Sequence, residues 1–352
     1  MSTPRHIVLL SPGFPAHDTD YACIPPLQAY LPALRDRFPA WKISVIALQY
    51  PYRRGAYPWQ GQEVHAVGGR NRRWAKPLTW QRAHRILNRL HRRQSVNLVH
   101  SLWLREASWL AQRWTQRQGI PTVATLMGQD AGADNRYLRQ IDLDTLTVTA
   151  ISTRAAERYA EATGKSVAQV IPWGIAPQTD PLPKLIERSV DVLGVGSLVP
   201  VKNWPRFVRV IAHLADLRPD LRAILVGEGP ERNRLEHLIR EAGLERNLEL
   251  RGQLPRPQVL TLMENSRVLL HTAHSEGQGY VFVEALAGGM QVVSTPVGIA
   301  ADSAKWSVAP DTISLVAAVQ QALEYPADHW PRHPFPLAQT VEDYAEIYAS
   351  LI

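Results

Sequence analysis

Apolar residues along the chain gather into short runs separated by longer amphipathic stretches. In the first half the runs are HIVLL (6–10), ISVIAL (43–48), NLVHS (97–101), PTVATL (121–126), TVTAIS (147–152) and AQVIP (168–172). In the second half they are VDVLGVG (190–196), RAILVG (222–227), NLELRG (247–252), RVLLHT (267–272) and QVVST (291–295). Runs this short, apolar on both faces, predict parallel strands covered by helices. Between them the spacing turns helical. Trp103, Ala107, Leu110 and Trp114 predict a helix within 103–114, and Phe207, Val210, Ile211 and Leu214 predict another within 203–217. The last stretch, AQTVEDYAEIYASLI, sets Val341, Tyr344, Ile347, Tyr348 and Leu351 on one stripe. The alternation predicts an α/β protein with two doubly wound domains.

The boundary falls in PWGIAPQTDPLPKL (172–185), where four prolines and a loss of periodicity predict a linker. The expected domains are 1–174 and 175–337, with a C-terminal helix over 338–352 packing back on the first. A length of 352 residues suits two cores. Composition adds three constraints. A net charge of +7 favours an anionic partner. The single cysteine, Cys23, excludes an intrachain disulfide and a cysteine zinc cage. The first apolar run is broken by Pro12 and Gly13, which is too short for a secretory segment, and no run approaches the roughly 18 apolar residues of a membrane span. These features predict a cytoplasmic protein.

The most informative stretch is SEGQGYVFVEALAGG, Ser275 to Gly289. On one continuous helix Glu276 and Glu284 would share a face, about 12 Å apart. Gly277 and Gly279 would then each cost about 1 kcal/mol inside that helix. A strand, a Gly-x-Gly loop and a helix from about Tyr280 is the better parse. The glycines permit close backbone approach, and a helix start offers N–H groups to an anion. Glu276 then lies at the loop mouth and Glu284 more than a turn into the helix. Carboxylates accept hydrogen bonds from vicinal hydroxyls. Two acids around an anion cradle therefore describe a ligand with hydroxyls at both ends and charge between, a sugar nucleotide.

This stretch resembles the paired-glutamate signature of the retaining GT-B glycosyltransferases, most closely family 4, the glycosyl transferases group 1. Other segments agree: VLGVGSLVPVKNW (192–204), ILVGEGPERNRL (224–235), the loop and strand LELRGQLPRPQVLTLMENSRVLLHTAHSEGQGY, and VIPWGI (170–175). NLVHS and VATLMGQD are similar to two N-domain strands that face the acceptor. The resemblance implies a GT-B fold, two Rossmann-like doubly wound domains facing a central cleft. It implies a metal-independent hexosyltransferase without a resident cofactor, moving a sugar from a UDP- or GDP-linked donor to a glycan or glycolipid hydroxyl in cell-surface polysaccharide or glycolipid synthesis. Lys202 would bind the donor diphosphate and Glu276 the donor sugar at the reacting carbon. Glu284 would hold the ribose hydroxyls, and Gly277, Gln278, Gly279 and Tyr280 would cradle phosphate or sugar. Gly252, Gln253 and Leu254 would lie near the base.

Two residues depart from the family pattern. Ser197 stands where many relatives carry an arginine that shares the diphosphate, with Asn203 or a nearby arginine as its replacement. Met127 stands where relatives commonly carry a histidine, and methionine cannot act as acid, base or strong donor. These departures keep open a second reading, a sugar-nucleotide-binding GT-B protein with weak or lost catalysis. A dinucleotide oxidoreductase would rest on GVGSLV alone, a weak motif. On the acceptor side the candidates are Gly13, Asp18 and Asp20 in the long loop after the first strand, with His100, Met127 and Asp130.

One further stretch stands out. No acid occurs between Val64 and Arg105. Thr79, Trp80, Ala83, Leu87 and Leu90 form a helical stripe, with Arg82, Arg85, Arg89, Arg92 and Arg93 mostly elsewhere. This is either a solvated basic face or, through 70–93 with Trp74 and Trp80 at the interface, a surface that docks on anionic lipid at the inner face of the membrane. No recognition motif accompanies the charge, so nucleic acid is not expected.

Overall fold

The computed structural model describes residues 5–21, 23–176, 188–300, 306–324 and 335–352. The chain divides into two compact units, Met1–Gly174 with Leu337–Ile352, and Ile175–Pro336. Most of the proline-rich stretch 172–185 lies outside the described residues.

The first unit is built on an eight-stranded sheet ordered β3-β4-β2-β1-β5-β6-β7-β8. Its strands are β1 (His6–Gly13), β2 (Lys42–Tyr50), β3 (Gly55–Trp59), β4 (Gln62–Ala66), β5 (Leu98–Leu102), β6 (Thr122–Leu126), β7 (Thr147–Ala150) and β8 (Gln169–Val170). All pair in parallel except β3 with β4. The run read as HIVLL forms the centre of the sheet, and Ile7 through Leu10 are fully buried. Burying a side chain of this kind stabilises by roughly 1.5–3 kcal/mol, which explains why the central strands are also the plainest apolar runs.

The β3–β4 hairpin was not among the predicted strands. Its strands, GAYPW and QEVHA, hold no continuous aliphatic run, and β3 carries Pro58, which this edge strand tolerates because one row of its N–H groups has no ladder partner. Gln60 and Gly61 at its tip both have positive φ, 44° and 75°, the geometry that matches the twist of a two-residue hairpin.

Helices α1 (Pro25–Arg37), α2 (Lys76–Arg93), α3 (Glu106–Gln118) and α4 (Thr153–Thr163) belong to this unit. Its last helix, α10 (Leu337–Leu351), packs on α1. Val341, Tyr344, Ile347 and Tyr348 are buried there, and the Tyr348 and Tyr30 hydroxyls lie 2.9 Å apart. Trp103, read as the start of a helix, lies before α3 in a left-handed conformation with φ 67°.

The second unit has a six-stranded parallel sheet ordered β11-β10-β9-β12-β13-β14. The strands are β9 (Val190–Val195), β10 (Ala223–Val226), β11 (Leu248–Gly252), β12 (Ser266–His271), β13 (Gln291–Ser294) and β14 (Trp306–Val308). Helices α5 (Trp204–Leu217), α6 (Arg232–Glu241) and α9 (Thr312–Glu324) contribute to one apolar core with the sheet. Helices α7 (Arg256–Glu264) and α8 (Tyr280–Ala287) contribute to the other. In α5 the predicted stripe Phe207, Val210, Ile211 and Leu214 is buried. Strand β14, three residues long, was too short to read as a run.

Each unit is thus a Rossmann-like α/β domain. In each sheet the winding reverses once next to the first strand: between β1 and β5 in one, and between β9 and β12 in the other. Open α/β sheets bind ligands at the carboxyl ends of the strands flanking such a reversal.

Candidate active site

In the second domain the loops at the reversal point are bonded to one another. The chain leaves β9 and turns through Pro200–Lys202 into α5. Asn203 stands at the junction with φ 52°. The chain leaving β12 runs directly over this turn. The Thr272 hydroxyl donates to the carbonyls of Lys202 and Asn203, both at 3.1 Å. The His274 amide donates to the Val201 carbonyl at 2.8 Å. These bonds hold the lysine turn against the loop that carries Glu276.

Lys202 and Glu276 consequently meet in a hydrogen-bonded ion pair, with side chains only 19% and 15% exposed. His271, the last residue of β12, completes the group. Its Nε2 lies 2.9 Å from Glu276 Oε1, and the side chain is 1% exposed. Burial by itself would raise the Glu276 pKa. The His271 contact and the Lys202 charge outweigh it and hold the carboxyl at about 2. Burial pushes the His271 pKa down despite Glu276, so the imidazole is neutral at neutral pH.

The helix predicted from about Tyr280 begins there as α8. Gly279 is its N-cap, in a left-handed conformation with φ 78° and without a side-chain cap. A Cβ at this position would lie 2.4 Å from the Phe282 ring, so glycine is required for both φ and space. Glu284 lies beyond the first turn, 11% exposed, and its Oε1 accepts from Arg256 Nε at 2.7 Å. Burial raises the Glu284 pKa and Arg256 opposes the rise. The parse into strand, loop and helix therefore places the two acids with different partners. Glu276 joins Lys202 and His271, and Glu284 joins Arg256.

The remaining residues read from sequence take up varied positions around this loop cluster. Ser197 is exposed, and its carbonyl accepts from Trp204 Nε1 at 2.9 Å. Gly252 is buried at the end of β11, and its carbonyl accepts from the Gly227 amide at 2.9 Å. A Cβ on Gly227 would meet the Gly196 carbonyl oxygen at 1.9 Å, so the strand ends approach too closely for any side chain there. Gln253 is exposed and Leu254 half-buried. Gln278 is buried, and its carbonyl accepts from the Ile299 amide at 2.9 Å. Gly277 and Tyr280 are half-buried. His271 and Arg256 were missed. His271 sits inside an apolar run and resembles an ordinary strand residue. Arg256 is one of many arginines, and only the fold brings it across 28 positions to Glu284.

On the first domain two candidates are corrected. His100 is fully buried within β5. Its ring nitrogens meet Tyr348 Oη at 2.6 Å and Thr125 Oγ1 at 2.7 Å, and burial lowers its pKa to about 3. It is a neutral core histidine. Asp130 is also fully buried, accepting from the amides of Leu104 at 2.6 Å and Met127 at 2.9 Å. It braces two loops and offers no face to a ligand. Gly13 is buried, and Met127 half-buried. Asp18 is exposed and accepts from the Gln60 amide at 3.1 Å. Asp20 accepts from the Ala16 amide at 2.9 Å and the Tyr50 hydroxyl at 2.6 Å. Both aspartates therefore shape their own loop.

On α2 the buried stripe is Thr79, Ala83, Leu87 and Leu90. Arg85, Arg89, Arg92 and Arg93 are exposed, and Arg82 is half-buried. Trp74 is 77% exposed and Leu78 42%. Trp80 is corrected as an interface residue. It packs on Trp109 with ring centroids 4.6 Å apart, and its Nε1 donates to Glu106 at 2.5 Å. No helix of the described residues is long and apolar enough to cross a membrane.

Comparison with known proteins fits this architecture. Residues 182–327 match the family model of the glycosyl transferases group 1. The chain is 31% identical over 198 residues to the 2-deoxystreptamine glucosyltransferase of Streptomyces kanamyceticus, covering 53% of this chain and 49% of that protein. It thus spans about half the length of that curated relative. Among solved structures it resembles the sucrose-phosphate synthase of Thermosynechococcus elongatus, with a TM-score of 0.73, 19% identity and 99% of both chains covered. It also resembles Anabaena HepE in complex with UDP, with a TM-score of 0.68, 17% identity, and 98% of this chain and 100% of that one covered. The fold is that of the GT-B glycosyltransferases.

Proposed function

We propose that this chain, whose C-terminal domain belongs to the glycosyl transferases group 1, moves a sugar from a nucleotide-sugar donor to an acceptor hydroxyl. The observation that carries the reading is the meeting of Lys202 and Glu276 across the β9/β12 reversal, directly before the glycine-capped start of α8. A diphosphate at Lys202 would gain a fixed positive charge and the helix N-terminus. Such preorganised charge stabilises a leaving group without reorganisation at the moment of reaction. Glu276 would accept from donor sugar hydroxyls, and Glu284, oriented by Arg256, from the ribose. Relatives named as a glucosyltransferase and an N-acetylglucosaminyltransferase, and a neighbour in complex with UDP, support a nucleotide-sugar donor.

In the step proposed, the bond between the sugar's anomeric carbon and the diphosphate oxygen breaks as the acceptor oxygen bonds to that carbon. The acceptor proton passes to the departing phosphate. Attack from the face the phosphate leaves, with retention, follows the resemblance to the retaining glycosyltransferases; among the described residues no side chain stands out as a nucleophile for a covalent intermediate. Lys202, rather than a divalent cation, carries the compensating charge. A second reading, donor binding with weak or lost transfer, is favoured by Ser197 and Met127, which replace a charge and a proton-transfer group.

A thermal-shift panel of UDP-, GDP- and ADP-sugars tests the donor and its base together, since a ligand that binds only the folded state raises its stability. One member should stabilise the protein, and Glu284→Ala should weaken that donor by roughly 10- to 100-fold. Unchanged donor affinity and turnover in Glu284→Ala would sink the assignment. Stabilisation without transfer to any acceptor would select the second reading.

We further propose that the exposed arginines of α2, with Trp74 and Leu78, dock on anionic lipid at the cytoplasmic face of a membrane that carries the glycolipid acceptor. Each basic residue near such a surface adds about 1 kcal/mol. Reversing Arg85, Arg89 and Arg92 to glutamate should abolish flotation with vesicles rich in phosphatidylserine. Equal flotation of variant and parent would leave the arginines as a solvated face.

A further inference from the structure

The reversal point of the first domain holds a cavity of about 640 Å³ that the donor-side reading does not use. Its walls come from the ends of β1, β2 and β5 and from the loops after β4 and β6, and a volume of this size accommodates a small molecule. Its lining is unusually cationic: Arg73, Lys76, Arg105 and Arg136 all face it. Of the two carboxylates in the wall, Asp134 is exposed at the rim and Glu106 is already satisfied. It accepts from Gln49 Nε2 at 2.9 Å, Lys76 Nζ at 3.2 Å and Trp80 Nε1 at 2.5 Å. Lys76 is thereby neutralised. No carboxylate lies within ion-pair distance of Arg73, Arg105 or Arg136 among the described residues. Arg105 is held in place by its Nη2 bond to the Gln129 carbonyl at 2.8 Å, while its buried Nε meets no partner among the described residues.

The cavity wall is also conformationally strained. Asn71 and Trp103, both in the lining, have φ of 53° and 67°, and Arg70 beside them has 58°. Such left-handed conformations cost of order 1–3 kcal/mol each in non-glycine residues and gather at ligand sites. Gln49 fixes one of them, its Oε1 accepting from the Asn71 amide at 2.8 Å while its Nε2 holds Glu106. The surplus of guanidinium groups and the pre-set wall select a ligand class. Arginine presents a planar fork of donors that matches phosphate oxygens.

We propose that this cavity is a binding site for a phosphate monoester, held by Arg73, Arg105 and Arg136, and that it supplies the phosphorylated part of the acceptor. The acceptor role rests on the glycosyl-transfer reading; the anion site itself does not. The phosphate belongs either to a soluble sugar phosphate or to a lipid headgroup, and the two are separable by experiment.

Calorimetric titration of the full chain at low salt, with glucose 6-phosphate, glucose and short-chain phosphatidic acid as probes, tests the site. At least one phosphate probe should bind saturably and glucose should not, and the better of the two phosphates identifies the source. In the double variant Arg73→Ala/Arg136→Ala the affinity should fall about 100-fold. Both residues are exposed, so the variant should unfold at the parent's temperature. Lys202→Ala should retain phosphate binding, which locates it on the first domain. Failure of both phosphates to bind, parent-like affinity in the double variant, or loss of binding in Lys202→Ala alone would each overturn the proposal. A chain that binds no nucleotide sugar yet binds phosphate through these arginines would keep the site and discard the acceptor role.

Discussion

The two sheets reverse their winding at equivalent places, and the contrast between those places is instructive. At β9/β12 the loops are short and bound to one another. Lys202 is matched by Glu276 from the opposite side of the reversal, and the glycine-capped α8 follows at once. At β1/β5 the loops stand apart around a cavity of about 640 Å³. Of its two carboxylates, Glu106 is consumed by its own wall, and Asp134 alone faces Arg73, Arg105 and Arg136, which leaves arginines in surplus. One fold thus places a ligand crevice in both domains, and the local charge inventory separates them. The first crevice is balanced and pre-set for a ligand bearing both charge and hydroxyls. The second is an open cationic bowl. Topology says where ligands go, and side-chain chemistry says which ones.

The sharpest way to break this contrast is to remove the lysine that balances the second-domain crevice. Lys202→Ala should reduce sugar transfer by about 100- to 1,000-fold, the usual consequence of deleting one preorganised charge or donor from a transition state. It also strands Glu276, a largely buried carboxylate with a neutral imidazole as its remaining neighbour, at a cost of about 3 kcal/mol in the stability of that domain. Steady-state turnover with the donor selected by the thermal-shift panel, and urea unfolding of the same variant, read the two effects. A variant that turns over and unfolds like its parent would make Lys202 an ordinary surface residue.

What the sequence disclosed follows the same division. The central strands were legible because burial on both faces writes a continuous apolar run, as in HIVLL and VDVLGVG. The β3–β4 hairpin was not, because GAYPW and QEVHA hold no continuous aliphatic run and Pro58 belongs to the edge strand β3, where one row of N–H groups meets solvent. The break between the two acids was legible in Gly277 and Gly279, whose backbone freedom disfavours a helix interior. Their partners were not. His271 is written as one more residue of a buried strand, and Arg256 reaches Glu284 only through the packing of α7 on α8. His100 and Asp130 erred in the other direction. Polar residues at strand ends look like ligand contacts until the fold shows their hydrogen-bonding groups turned inward, His100 to Tyr348 and Thr125, and Asp130 to two backbone amides.

A finer contrast is carried by one buried carboxyl in each domain, and pH separates them. Glu276 has its folded pKa lowered from 4.5 to about 2, because His271 and Lys202 outweigh burial. The unfolded chain therefore binds the proton more readily. The stabilisation from Glu276 is complete above about pH 5 and drains away as the pH falls toward 2. Asp130 is the reverse. Burial raises its pKa from 3.8 to about 6, against the pull of the Leu104 and Met127 amides and Arg105. Its contribution is complete below about pH 4 and is lost as the pH rises through 6. Each slope is worth up to about 3 kcal/mol from the size of the shifts. Unfolding followed from pH 2 to 8 should show both slopes, with Glu276→Gln flattening only the acid limb and Asp130→Asn only the limb between pH 4 and 6. If Asp130→Asn left the second limb intact, the carboxyl would be ionised throughout, and the brace between the two loops would be an ordinary charged cap.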